Sequence, residues 1–143
     1  FFGTLNCLHA LLPFLKKKIN SQVIFMSSVA GYRGLPYAAA YCSSKSAITT
    51  FAESIYNQCK NLGIAIRVIN PGFVKTPLTD KNKFKMPLII PAEKAADIIY
   101  KKIVYSKKFE INCPWLFCFI MKILRLLPNS LYLSFTQLLI KRL

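Results

Sequence analysis

The chain has 143 residues, room for one modest core, and a mean hydropathy of +0.37 that is high for a globular domain. No uninterrupted apolar run reaches the about 20 residues of a bilayer-crossing helix, which excludes a bundle of membrane spans. The five cysteines (Cys7, Cys42, Cys59, Cys113, Cys118) form no Cys-x-x-Cys and His9 is the one histidine, so a metal centre and a disulfide framework are excluded as well. Free thiols suit a reducing compartment, and a cytoplasmic location is expected. The formal net charge is +15. Its densest stretch, residues 81–108, carries eight lysines against Glu93 and Asp97. Without a nucleic-acid-binding motif beside them, these read as solvated helix faces, and no nucleic-acid partner is expected.

In chain order, Leu5, Leu8, Leu12 and Leu15 recur at helical steps and predict a helix over 1–18, kinked at Pro13, with Lys16 to Lys18 at the negative end of its dipole. His9 falls inside this helix and reads as a packed or surface histidine. The run Gln22–Met26 is short and apolar, as a strand buried on both faces should be. Gly31, Gly34 and Pro36 hold a defined loop after it. A helix over 39–62 follows, with Tyr41, Lys45, Ile48, Ala52, Ile55 and Cys59 along one face and Gly63 as its cap. Residues 64–69 predict a second buried strand. The segment 78–90 is irregular. Pro91 then opens a helix Ala92–Tyr105 with Ala95, Ile99 and Ile103 turned to the core, and 109–112 is the last strand. Two short helices, Trp115–Leu126 and 129–143, are split by Pro128. The alternation of strands and helices predicts an α/β fold with a parallel sheet.

The chemistry concentrates between Ser28 and Lys45. Tyr41 and Lys45 stand four apart, so their side chains leave one helix face a turn apart, and Ser28 is on the loop at the strand's end. A free phenol ionises near pH ~10, and a neighbouring cation favours its anion. A serine hydroxyl can hold a carbonyl or alcohol oxygen beside such a phenol. Together they make a proton-transfer site. Asn70-Pro71-Gly72 closes the next strand, where glycine permits close approach of backbone to a flat ring.

These residues resemble the short-chain dehydrogenase/reductase family, NAD(P)-dependent oxidoreductases on a Rossmann fold. The resemblance is carried by Ser28-Val29-Ala30-Gly31, by Tyr41-Cys42-Ser43-Ser44-Lys45 thirteen residues after Ser28, and by Asn70-Pro71-Gly72-Phe73-Val74-Lys75-Thr76. It implies the C-terminal part of a doubly wound parallel sheet over 1–112, followed by an amphipathic helical tail over 113–143. The family's glycine-rich phosphate turn lies upstream, and no such turn occurs here. The resemblance implies Ser28, Tyr41 and Lys45 as catalytic residues. It makes Tyr41, Lys45, Pro71, Gly72, Phe73, Val74 and Thr76 the contacts to NADP or NAD, and Ser28, Leu78, Phe84 and Met86 the contacts to an apolar substrate. A catalytic asparagine of the family falls one residue before Phe1, and Asn6 does not match it. The run from Pro77 to Asn82 looks like a bacterial subgroup of unassigned substrate.

The partners implied are a small carbonyl or alcohol compound and a second copy of the chain. The tail is open to two readings. It packs on its own domain or a dimer partner, or it lies in a membrane surface with Trp115, Phe117, Phe119 and Ile120 among the lipid chains and Lys122, Arg125, Lys141 and Arg142 at the phosphates. The alternative to an oxidoreductase is an inert truncated remnant or a membrane-associated binding module.

Overall fold

The computed structural model describes residues 1–81 and 86–140. Three parallel strands form the central sheet: β1 (Gln22–Met26), β2 (Ala65–Pro71) and β5 (Glu110–Cys113), in the order β1-β2-β5. Phe25 pairs with Val68, and Ile69 with Ile111. A short parallel pair, β3 (Val74–Lys75) and β4 (Ile90–Pro91), lies beyond the end of β2. The helices are α1 (Phe2–Leu15), α2 (Ala39–Asn61), α3 (Ala92–Tyr105), α4 (Trp115–Leu126) and α5 (Asn129–Ile140).

Alternation along β2 decides what packs where. Ile66 and Val68 join Phe25, Ile48, Ala52, Cys59 and Ile64 in one buried cluster, on which Leu8, Leu12 and Leu15 of α1 and Phe51 and Ile55 of α2 close. Arg67, between Ile66 and Val68, is also buried. Its guanidinium donates to the carbonyls of Lys102, Ile103 and Lys108, satisfying the end of α3 and the turn that leads into β5. A buried strand therefore carries a buried cation, kept there by the carbonyls it caps.

Element edges move by small amounts. Helix α1 stops at Leu15, and Ser21 Oγ donates to Leu15 O (2.8 Å) and Lys18 O (3.1 Å) in the turn that follows. Strand β2 runs on to Pro71, and β5 is shifted one residue later than 109–112. Gly63 has φ +73°, the left-handed conformation that a helix cap of this kind requires.

Candidate active site

The loop after β1 is sewn to α2 from beneath. Ser27 Oγ donates to Lys45 O (3.0 Å) and sits 2.8 Å from Thr49 Oγ1. A Cβ at Gly31 would stand 3.0 Å from the Lys45 carbonyl carbon and oxygen, so the absence of a side chain lets loop and helix meet. Ser28 has extended backbone, and its Oγ accepts from Ala30 N–H at 3.2 Å while lying 3.4 Å from Pro71 O. The serine thus bridges the ends of β1 and β2.

Lys45 Nζ donates to Met26 O at 2.9 Å, two residues before Ser28, and lies 5.7 Å from the centre of the Tyr41 ring. Burial pushes its pKa down from the ordinary lysine value. Tyr41 is 48% exposed. A second tyrosine, Tyr32, has the opposite character: it is buried, and its hydroxyl lies 2.9 Å from Asn112 Oδ1 and 3.5 Å from Glu110 Oε1. Burial, then the Glu110 carboxylate, holds the Tyr32 phenol far above its usual value. Of the two, Tyr41 is the one open to a ligand.

At the end of β2, Gly72 N–H donates to Cys113 O (2.7 Å). The ring that approaches Gly72 closely is that of Phe117, which would be 2.5 Å from a Cβ there. Phe117 also packs on Phe73, with centroids 5.2 Å apart. Val74 is in β3, paired with Ile90. Thr76 N–H donates to Thr79 Oγ1 (2.9 Å), which in turn donates to Val74 O (2.8 Å), so the Thr76 turn is held locally by Thr79, a residue the sequence reading passed over. Leu78 is 72% exposed, Met86 is half-buried, and Phe84 lies outside the described residues.

The tail closes the far side of the loop. Arg33 Nη1 donates to the carbonyls of Leu124, Arg125 and Leu127, and Nη2 to Asn129 Oδ1. The Arg33 guanidinium carbon lies 4.2 Å from the centre of the Tyr132 ring, and Tyr132 hydroxyl donates to Gly34 O. Lys122 pairs with Glu110. Phe117, Cys118 and Met121 are buried against Val29 and Tyr32. The placement of Phe117 among lipid chains is thereby corrected: it faces inward, because the side-chain-free edge of Gly72 gives it room. No local pattern announces the Arg33 and Tyr132 contacts, which join residues more than ninety apart in sequence.

Residues 1–86 match the family model of short chain dehydrogenases. The chain belongs to that family. An oxidoreductase of uncharacterized activity from Myxococcus xanthus is 35% identical over 130 residues, covering 91% of this chain and 51% of its own length. The 3-ketodihydrosphingosine reductase of Bacteroides thetaiotaomicron is 30% identical over 112 residues, 78% of this chain and 41% of the relative. Among solved structures, the short chain dehydrogenase from Burkholderia cenocepacia in complex with NADP superposes with a TM-score of 0.74 at 22% identity, over 85% of this chain and 50% of that one. The Burkholderia phymatum enzyme in complex with NAD gives 0.70 at 18% identity, over 84% of this chain and 52% of the neighbour. This chain spans about half the length of the curated relatives it matches. As a short-chain dehydrogenase it has the parallel sheet of its family, with the Ser28, Tyr41 and Lys45 positions gathered at the carboxyl ends of β1 and β2, where open α/β sheets bind ligands.

Proposed function

We propose that this chain provides the hydride-transfer end of an NAD(P)-dependent oxidoreductase acting on a carbonyl/alcohol pair. The observation that carries the reading is the Lys45 ammonium, hydrogen-bonded to Met26 O beside Ser28 and lying against the Tyr41 ring. Tyr41 gives its hydroxyl proton to the substrate oxygen in reduction and takes it back in oxidation. Lys45 stabilises negative charge on the phenol oxygen as the proton leaves. Ser28 holds the substrate oxygen beside it.

The residues present fit a nicotinamide nucleotide at one end. An ammonium has three donors, and the Met26 carbonyl takes one, which leaves Lys45 able to hold ribose hydroxyls. The turn from Pro71 to Val74 and Thr76 would flank the ring, whose role when bound is to carry the hydride. No glycine-rich phosphate turn occurs in these 143 residues, so this chain's own contribution is to the nicotinamide half. Leu78 and Met86, beside that turn in sequence, suit an apolar keto compound, in line with the name of the Bacteroides relative.

In the full-length protein, Tyr41→Phe should lower turnover roughly 10²–10⁴-fold while cofactor affinity stays near normal. Lys45→Ala should damage both. The readout is the absorbance of the reduced nicotinamide over a panel of ketones and aldehydes, with cofactor binding measured by calorimetry. A Tyr41→Phe protein that keeps most of its turnover would overturn the assignment.

A further inference from the structure

We propose that α4 and α5 seat this protein on an anionic lipid bilayer, lying in the plane of its surface. The inference does not depend on the reaction catalysed. Helix α4 has two apolar faces. One, Phe117, Cys118 and Met121, is buried on the catalytic loop. The other presents Trp115 (67% exposed), Leu116, Phe119, Ile120, Ile123 and Leu126 (82% exposed) to the outside. At about 100° per residue these six share one arc, with Lys122 and Arg125 on a single flank of it. Helix α5 carries no charged residue and buries Tyr132 and Thr136, while Leu131, Leu133, Phe135 and Leu138 remain exposed.

Charge identifies the occupant. Residues 111–143 contain no aspartate or glutamate and four basic residues, of which Lys122 is paired with Glu110 while Arg125, Lys141 and Arg142 have no acid near them in sequence. A second copy seated on this face would bring Arg125 and the basic residues after it together with no acid in 111–143 to answer them. Helix α4 packs against β5, at the edge of the sheet opposite β1. An anionic leaflet supplies both an apolar layer and the negative charge. At twelve residues α4 is about 18 Å long, short of the bilayer core, and no helix among the described residues is long and apolar enough to cross. The helix therefore lies flat, with Trp115 at headgroup depth.

Trp115 is the one tryptophan of the 143 residues and reports on this directly. With phosphatidylglycerol-containing vesicles the chain should co-sediment and its emission should shift to the blue. With pure phosphatidylcholine it should do neither, and binding should weaken about tenfold or more between low and high salt. The double variant Phe119→Glu/Ile123→Glu, both positions exposed, should lose binding at least about tenfold with its circular dichroism unchanged. Arg125→Glu should weaken binding while leaving the apolar face intact. The proposal fails if no vesicle binds, if neutral and anionic vesicles bind alike, or if sedimentation shows a dimer that the double variant dissociates.

Discussion

The packing of α2 on the sheet and the packing of α4 and α5 on the loop after β1 are built on different physics. Under α2 the contacts are apolar: Ala52, Ile64, Ile66 and Val68 are almost fully buried, and Phe25 meets Phe51 edge-on at 6.1 Å. Burial of this kind is non-directional and scales with area. At the tail, a smaller cluster of Phe117, Cys118 and Met121 is fixed by directional contacts, namely the Arg33 fork, the Tyr132 to Gly34 bond and the Lys122–Glu110 pair. Apolar burial makes the fold. The polar contacts choose where the tail sits on it.

A substitution in the first region should break the whole molecule. Ile66→Ala is expected to cost about 2–5 kcal/mol and to lower a single cooperative melting transition followed by far-ultraviolet circular dichroism. In the second region the loss should be smaller and local. Arg33→Ala should cost about 1–3 kcal/mol, expose the junction near Pro128 to proteolysis and leave amide protection in β1 and β2 intact. Arg33→Lys should recover only part of this, because an ammonium lacks the planar fork. Equal global melting shifts in the Ile66 and Arg33 variants would erase the distinction between the regions.

Alkaline pH sharpens the comparison with the smallest effect. Burial pushes the Cys118 thiol up to about 11 from an ordinary value of 9.0, and burial also raises Tyr32 and Tyr132. All three stand at the junction between loop and tail. Their folded forms keep protons that the unfolded chain releases, so this contribution is complete below the unfolded values and falls as pH rises. For Cys118 the decline runs from about 9 to about 11. Over that window Trp115 fluorescence and alkylation of Cys118 should report a loosening tail before the far-ultraviolet signal of the sheet and α2 changes.

The first region was largely legible in the sequence because its signals are local. The apolar run Gln22–Met26 is β1, though with Gln22 and Met26 exposed and only Phe25 buried where burial on both faces was expected. The helical spacing from Tyr41 to Cys59 places Ile48, Ala52 and Cys59 in the core, and Ala92–Tyr105 is α3. The Tyr41–Lys45 pair could be found for the same reason, since four residues on a helix fix two side chains to one face. Arg67 and Arg33 were not legible. Each is a single cation whose partners are carbonyls contributed by distant chain, and carbonyls leave no trace in a residue pattern. Phe117 was assigned to the wrong face because Trp115–Leu126 is apolar nearly all round, and periodicity cannot orient such a helix. Its orientation follows from Gly72, forty-five residues earlier.

Gly31 has a consequence for how this site tolerates change. It contributes no atom to the chemistry assigned to Ser28, Tyr41 and Lys45, yet it governs the distance between the loop that holds the serine and the helix that holds the other two. A methyl group there would press on the main chain of α2 at Lys45, where no rotamer can give way, so loop and helix would have to part by a few tenths of an ångström. The spacing of Ser28 from Tyr41 and Lys45 is thus set by a spacer of zero side-chain length. An inventory of functional groups at this site would leave out the position on which their registration depends.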